Sequence, residues 1–198
     1  MYHLPTDRES IRADLLSLLS TFQTNVTEEQ KDIEEMKIFL RAHTEFLGKT
    51  NPAGHVTGSA VVINTTHQSV LLLHHKKLQR WLQPGGHTDP DEHPMATALR
   101  ETQEETGLQT LSFLPSPDPS HLLTIDSHWI PERPRNARHI HMDFRYLLQA
   151  SSDTMQLSQE STDGRWFTWK EAEHLELDPS LRRALSRAKQ LLNAKLSI

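Results

Sequence analysis

Three glutamates lie close together near the middle of the chain. Glu101, Glu104 and Glu105 follow an i, i+3, i+4 spacing, which places them on one side of an α-helix. Adjacent carboxylates repel one another unless a cation lies between them. A hard cation such as Mg²⁺ or Mn²⁺ relieves this repulsion and completes its coordination with water and phosphate oxygens. Taken alone, the spacing favours a solvated acidic helix face over a metal site that acts on phosphate groups, and the surrounding sequence decides between the two.

These glutamates belong to a longer stretch, GGHTDPDEHPMATALRETQEETGL, at positions 85–108. The stretch resembles the signature of the Nudix hydrolase family, G-x5-E-x7-R-E-U-x-E-E-x-G-U, in which U is an aliphatic residue. Because each of seven fixed letters would occur by chance at roughly one position in fifteen, coincidence is a negligible explanation. Thr102 departs from the signature, since an aliphatic residue is usual there. The matching residues of this Nudix box, 86–108, are Gly86, Glu92, Arg100, Glu101, Glu104, Glu105, Gly107 and Leu108.

The resemblance implies a role for each conserved type of residue in the Nudix box. It implies that the three glutamates bind Mg²⁺ or Mn²⁺ together with the carbonyl group of Gly85, and that Arg100 belongs to the catalytic set. It also implies a salt bridge between Glu92 and Arg100 that joins the loop to the helix. Gly86, Glu92 and Gly107 are expected to be structural.

A further acidic residue, Glu160, stands just before a predicted strand, where related Nudix enzymes often carry one. It is a candidate general base or additional metal ligand. The base therefore stays open between Glu101, Glu160 and a metal-bound hydroxide.

A helix that carries the glutamates is predicted from about Pro94 to Thr106. Proline suits the first turn of a helix, and Gly107 can end it in the left-handed conformation. Because Thr102 lies on the same stripe as Ala98, its hydroxyl is expected to bond back to the Ala98 carbonyl. The two glycines before the helix are expected to form a tight turn. The apolar stripe of the helix is Met95, Ala98, Leu99 and position 102.

The segment HIHMDFRY at 139–146 is a second candidate for the functional site. Its period-two alternation predicts a strand with one polar and one apolar face. If the polar face lies in the catalytic cleft, it can bind phosphate, contact the variable group of the substrate or ligate a further metal. If it faces water, the strand is an ordinary half-exposed one. The candidate substrate-binding residues are His87, His139, His141, Asp143 and Arg145.

The remaining pattern predicts helices and strands around this centre. Two amphipathic helices come first, each opened by a capping-box pattern, at Thr6 with Glu9 and at Thr27 with Gln30. Strands follow near 56–63, 69–74, 111–114, 121–130, 139–150 and 165–169, and a final helix begins near Pro179. The order predicts an α+β fold, and the resemblance implies the Nudix α/β/α sandwich with a mixed sheet. We expect a helical extension at 1–50 and a Nudix domain at 51–198.

Composition limits the class of protein. The chain has 198 residues, a net charge of −5 and no cysteine. A negative charge argues against coating nucleic acid, and the absence of cysteine excludes disulfides and thiolate chemistry. No apolar run approaches the length of a membrane span. These features predict a cytoplasmic protein of one domain with an extension.

The predicted function is Mg²⁺-dependent hydrolysis of the diphosphate linkage in a small nucleoside diphosphate derivative. A catalytically weak Nudix-like module that binds a nucleotide is the alternative, although such modules commonly lose box carboxylates. An isopentenyl-diphosphate isomerase shares the fold but relies on a cysteine, which this chain lacks. The surroundings WLQPGGH and HIHMDFRYLL look like a bacterial Nudix group. They do not name the substrate, and the resemblance leaves room for a homodimer.

Overall fold

The computed structural model describes residues 4–114, 122–134 and 137–195. The end of the predicted domain, 196–198, lies outside these residues. The helices are α1 (Arg8–Thr21), α2 (Thr27–Ala42), α3 (Pro94–Thr106), α4 (Trp169–His174) and α5 (Pro179–Lys195). The strands are β1 (Gly54–Ile63), β2 (Ser69–His75), β3 (Arg80–Leu82), β4 (Gly85–His87), β5 (Leu111–Phe113), β6 (Leu122–Ile130), β7 (His139–Ala150) and β8 (Ser161–Thr168). No helix in the described part is long and apolar enough to cross a membrane.

The strands form one mixed sheet around a central parallel pair. β1 runs parallel to β7 along its whole length, from Gly54 opposite Ile140 to Ile63 opposite Gln149. β1 is also antiparallel to β2 and β4, and β7 is antiparallel to β5 and β6. β3 and β8 pair with β2. Because β1 and β7 have neighbours on both sides and helices on both faces, almost all of their residues are buried.

Helices cover both faces of the sheet, so the predicted α+β sandwich is confirmed. α1, α2 and α3 pack on the face that carries Met142 and Phe144 of β7. α4 and α5 pack on the opposite face, which carries Val61 and Leu147. The two N-terminal helices share the first core through buried residues such as Ile11, Leu15, Met36 and Leu40.

Both predicted capping boxes are wrong. The first helix is capped by Asp7, whose carboxylate accepts from the Ser10 amide at 2.9 Å, so α1 begins one residue later than Thr6 would allow. The second is capped by Val26 without a side-chain bond. There the Thr24 hydroxyl binds the Val26 amide, and Gln30 donates to the Thr24 carbonyl. Local turns before each helix therefore replace the predicted caps.

Two further elements differ from the sequence-based expectation. Gly85 and Gly86 lie in the short strand β4, paired with β1, rather than in a tight turn. A Cβ atom at Gly85 would lie 2.3 Å from the Ser59 Cβ atom, so the close approach of the strands explains this glycine. The last strand continues into α4, which the prediction missed. Its capping box is formed by Thr168 and Glu171.

Candidate active site

Helix α3 has the predicted limits. Its first residue is Pro94, and it ends at Gly107, which has a left-handed backbone with a φ of 70°. The Thr102 hydroxyl donates to the Ala98 carbonyl at 2.6 Å and is fully buried, as predicted. Threonine is tolerated in place of an aliphatic residue because its only polar group is satisfied within the helix. Because the buried stripe packs on the sheet, the neighbouring side of the helix places Glu101 and Glu105 against β4.

Arg100 ties the loop, the strand and the helix together. Its guanidinium donates to both carboxylate oxygens of Glu92, at 3.0 and 2.7 Å, which is the predicted salt bridge. The same group donates to Glu101 at 2.8 Å, to Glu104 at 3.1 Å and to the His87 carbonyl at 3.1 Å. Hydrogen bonds to Glu92 raise the pKa of Arg100 above its usual value. A planar fork with five donors makes this arrangement specific to arginine.

Two box glutamates lie directly against the glycines of β4. Glu105 accepts a hydrogen bond from the Gly85 amide at 3.0 Å. A Cβ atom at Gly86 would lie 2.5 Å from the carboxyl carbon of Glu101. A side chain at position 86 would therefore occupy the space that the Glu101 carboxylate needs. Gly85 contributes its amide group to the contact with Glu105. A role of its carbonyl group in metal binding stays a prediction.

The electrostatics of the glutamates indicate excess negative charge in a partly buried place. Burial, followed by the charges of Glu101, Glu160 and Glu104, raises the pKa of Glu105 to about 8. Burial also raises the pKa of Glu101, with smaller contributions from Glu104 and Glu160. Glu160 is exposed on the segment before β8, yet its charge acts on both residues. The structure therefore brings Glu160 near the box glutamates.

A cluster of histidines lies on the opposite face of the sheet. The register pairs His55 with His141 across β1 and β7, and His128 with His141 across β6 and β7. In the described part of the chain, the compact group of three metal-binding side chains is His55, His139 and His141. Their ligand atoms lie within 4.8 Å of one another. The box glutamates do not converge in this way, because Arg100 and the Gly85 amide hold them separately.

The histidine cluster borders a cavity of about 360 Å³. Burial lowers the pKa of His55 to about 4, of His87 to about 3 and of His141 to about 2. Their imidazoles are therefore neutral at pH 7. The cavity is lined by Lys49, Thr50, Asn51, Pro52, His55, His87, Ala137 and His139.

The sequence matches the NUDIX domain family over residues 53–188. The chain belongs to the Nudix hydrolase family. Hydrolysis of pyrophosphate bonds is the class of reaction that this membership gives. Members of the family generally use divalent metals.

Named relatives support the same family. A probable DHNTP pyrophosphohydrolase of Lactococcus lactis subsp. cremoris (strain MG1363) is 29% identical over 146 residues, which are 72% of this chain and 83% of the relative. The asymmetrical bis(5'-nucleosyl)-tetraphosphatase of Mus musculus is 32% identical over 132 residues, 65% of this chain and 83% of the relative.

Solved structures show the Nudix fold as well. The binary complex of a C. elegans Ap4A hydrolase superposes with a TM-score of 0.56 at 19% identity, and covers 70% of this chain and 98% of its own. A NUDIX-family hydrolase from Clostridium perfringens gives a TM-score of 0.53 at 26% identity, with 69% and 97% coverage.

The polar face of β7 does not face water, so that alternative is wrong. Asp143 and Arg145 are 4% and 3% exposed and form an ion pair at 3.1 Å inside this Nudix fold. Asp143 accepts from the hydroxyls of Thr57 and Ser59, and Arg145 donates to the Ser180 carbonyl. These two candidates are therefore engaged within the fold, whereas the candidates His87 and His139 line the cavity.

Sequence reasoning missed His55 and His128 as members of the histidine cluster. His55 and His141 are 86 positions apart in the sequence. They lie side by side because of the parallel register of β1 and β7. His128 forms an ion pair with Asp126 at 2.7 Å, and its ring lies 5.6 Å from that of His141. The alternation of HIHMDFRY was a usable signal for one strand, but the partner strands could not be read from it.

The donors at the Nudix box fit a hard divalent cation. Carboxylate oxygens are the ligands that Mg²⁺ and Mn²⁺ prefer. The pKa of Glu105 is raised because its carboxylate is largely buried beside other carboxylates. A cation at this place would stabilise the ionised form. Glu104 is the accessible member, with 60% of its side chain exposed. The chemistry of the set therefore matches the family's metal.

Proposed function

We propose that this Nudix protein hydrolyses the diphosphate linkage of a small nucleoside diphosphate derivative, with Mg²⁺ held by Glu101, Glu104 and Glu105. The observation that carries the proposal is the partly buried Glu105 carboxylate, which accepts a hydrogen bond from the Gly85 amide and whose pKa is raised to about 8 by burial and by neighbouring acidic groups. Like charges that are close together and partly removed from water repel one another, and a bound cation would relieve that repulsion. The Nudix box around it supports the same assignment.

Each residue of the site has a defined task in this proposal. When bound, the cation neutralises the diphosphate oxygens and activates the attacking water. Arg100 positions Glu101 and Glu104 through its hydrogen bonds to both carboxylates. Gly86 leaves room for the Glu101 carboxylate, and the Gly85 amide orients Glu105.

The reaction forms one P–O bond to water oxygen and breaks the bridging P–O bond, and a phosphate ester leaves. The water proton goes to Glu101 or to Glu160, and a bound cation would assist by making that water more acidic. Glu101 is partly buried in the Nudix box, and burial raises its pKa above its usual value. The charge of Glu160 acts at the same place, which supports it as the other protein candidate.

The substrate class follows from the relatives. One is named a probable DHNTP pyrophosphohydrolase and another an asymmetrical bis(5'-nucleosyl)-tetraphosphatase. Both names describe cleavage between linked phosphates, and the second describes a nucleotide substrate. We place the catalytic domain at 51–198, supported by the family match at 53–188, and treat 1–50 as its helical extension. A homodimer remains part of the proposal, to be checked by light scattering.

A substrate panel tests this function. Purified protein is incubated with Mg²⁺ and with dinucleoside polyphosphates, nucleoside triphosphates or nucleotide sugars, and phosphate-containing products are quantified. We expect Mg²⁺-dependent turnover of at least one compound, and no turnover after chelation. Tight nucleotide binding without products across the panel would favour the alternative of a nucleotide-binding module.

A further inference from the structure

His55 is a buried polar side chain without a hydrogen-bond partner. Its imidazole is 4% exposed, and neither Nδ1 nor Nε2 has a partner. An unpaired buried polar group costs free energy, so it is rare without a specific reason. The ring lies 4.7 Å from that of His141 and 5.1 Å from that of His139. Its nitrogens therefore lie beside two other potential metal ligands.

The hydrogen bond of His139 fixes which of its nitrogens can bind a metal. Its Nδ1 atom lies 2.7 Å from the Ala137 carbonyl oxygen, which can only accept, so Nδ1 carries the proton. Its Nε2 atom is then the nitrogen that offers a lone pair, and in this structure it lies at hydrogen-bonding distance, 3.1 Å, from the Nε2 atom of His141. Metal-binding histidines commonly donate their other ring N–H to a backbone carbonyl in this way.

The spacing between His139 and His141 matches two ligands of one ion. Their Nε2 atoms are 3.1 Å apart. Two nitrogens bound to tetrahedral Zn²⁺ at about 2.0–2.1 Å would be roughly 3.3 Å apart. All three histidines offer ligand atoms within 4.8 Å of one another, so small side-chain rotations suffice to bring them onto one ion.

We propose that His55, His139 and His141 form a second metal site, which binds a divalent transition ion of the Zn²⁺ type. Imidazole nitrogen suits Zn²⁺, Co²⁺ and Ni²⁺, whereas Mg²⁺ prefers oxygen ligands. The site lies on the sheet face opposite α3, so it is separate from the Nudix box.

Two of the three histidines, His55 and His139, line the cavity of about 360 Å³, so an ion bound by them would lie beside open space. Three protein ligands with one open position are typical of zinc sites that accept an exogenous ligand. Lys49 lines the same cavity, and its positive charge favours an anionic ligand there. His87 also lines it, with its ring 4.9 Å from that of His55.

Cobalt substitution tests the proposal. The full chain is stripped with a chelator and titrated with Co²⁺, whose tetrahedral complexes have intense visible bands. We expect one equivalent to bind with a tetrahedral spectrum. His139→Gln should weaken Co²⁺ binding at least about 100-fold. Loss of a residue that only hydrogen-bonds to a metal ligand already lowers metal affinity up to about 100-fold, and loss of the ligand itself should lower it at least as much. His55→Leu should do the same.

Two controls locate the bound ion. His174→Ala removes an exposed histidine on α4 and should leave the spectrum unchanged. The double variant Glu104→Gln with Glu105→Gln should lose hydrolysis but keep the cobalt spectrum, which separates this site from the proposed function. Circular dichroism checks each fold, and His139→Gln carries the test if His55→Leu does not fold. Absence of tetrahedral bands at saturating Co²⁺, or wild-type tetrahedral binding by a folded His139→Gln, would overturn the proposal.

Discussion

At the residue scale, the Nudix box depends on contacts between glycines and carboxylates. Glu101 reaches β4 because position 86 carries no side chain, and Glu105 reaches it through the hydrogen bond from the Gly85 amide. The pKa of Glu92 is lowered, whereas the pKa values of Glu101 and Glu105 are raised. Burial alone would raise its pKa, but hydrogen bonds from Arg100 and Thr97 outweigh burial and lower it. One carboxylate of the box is therefore compensated within the protein, while Glu105 is left for a cation.

Gly86→Ala tests the steric contact directly. The new Cβ atom would displace the Glu101 carboxylate, which lies 2.5 Å away. We expect Mn²⁺ affinity and turnover to fall about 10- to 100-fold, as for other changes that misplace metal ligands. The fold should survive, because a terminal carboxylate can move.

The matched glycine control is Gly107→Ala, at the end of α3. This variant should lose about 1–2 kcal/mol of stability because the left-handed backbone disfavours alanine. Its Mn²⁺ affinity should stay within a few-fold of the wild type. Equal metal affinity of Gly86→Ala and the wild type in an Mn²⁺ titration would contradict the steric argument.

At the element scale, helix α2 docks on β6 with two acidic groups facing each other. Asp32 lies on α2, and burial together with the charge of Asp126 raises its pKa from 3.8 to about 6. Asp126 itself keeps a lowered pKa, because a hydrogen bond with His128 and the charge of Arg145 outweigh burial. At neutral pH Asp32 is ionised in this unfavourable environment, so its packing against β6 lowers the free energy of unfolding.

Asp32→Asn should remove that cost. Because the folded protein holds the proton more tightly than the unfolded chain, the wild-type free energy of unfolding falls as pH rises from about 3.8 to about 6. The variant should be more stable than the wild type at pH 7 and equal to it below pH 4. Urea unfolding at both values measures this. Glu34→Gln, on an exposed site of the same helix, should change stability by less than about 0.5 kcal/mol.

The parallel pair of β1 and β7 carries a buried ion pair that holds the sheet to α5. Asp143 accepts from two hydroxyls of β1, and Arg145 reaches the Ser180 carbonyl. Arg145→Met leaves the Asp143 charge buried without its partner, so we expect a loss of about 3–5 kcal/mol in urea unfolding. The double variant with Asp143→Leu should be more stable than Arg145→Met alone. If the double variant is less stable than Arg145→Met, the unpaired charge of Asp143 does not cause the loss of stability.

At the scale of the whole molecule, the sheet separates two chemically different faces. α3 presents carboxylate oxygens on one face, and the histidine cluster presents imidazole nitrogens on the other. β4 contributes to both faces. A side chain at Gly86 would point at Glu101, whereas His87 lines the cavity on the other face. A short strand with alternating sides thus joins the two ligand sets.

Local patterns predicted more of this molecule than long-range ones. The limits of α3 and the bond of Thr102 follow from spacing within the helix, and the pair of Glu92 with Arg100 follows from the Nudix resemblance of the box. The position of His55 beside His141 depends on strand register, which no local pattern encodes. The wrong caps have another cause, since several polar residues before each helix compete for the same amides.

The most direct test of the central claim is the turnover of Glu105→Gln on a diphosphate substrate that the wild type cleaves with Mg²⁺. The amide keeps an acceptor for the Gly85 N–H but carries no charge for the cation. Because metal activation is worth several kcal/mol, kcat/KM should fall at least about 100-fold while the circular dichroism spectrum stays unchanged. A folded Glu105→Gln that keeps most of the wild-type rate would contradict the account.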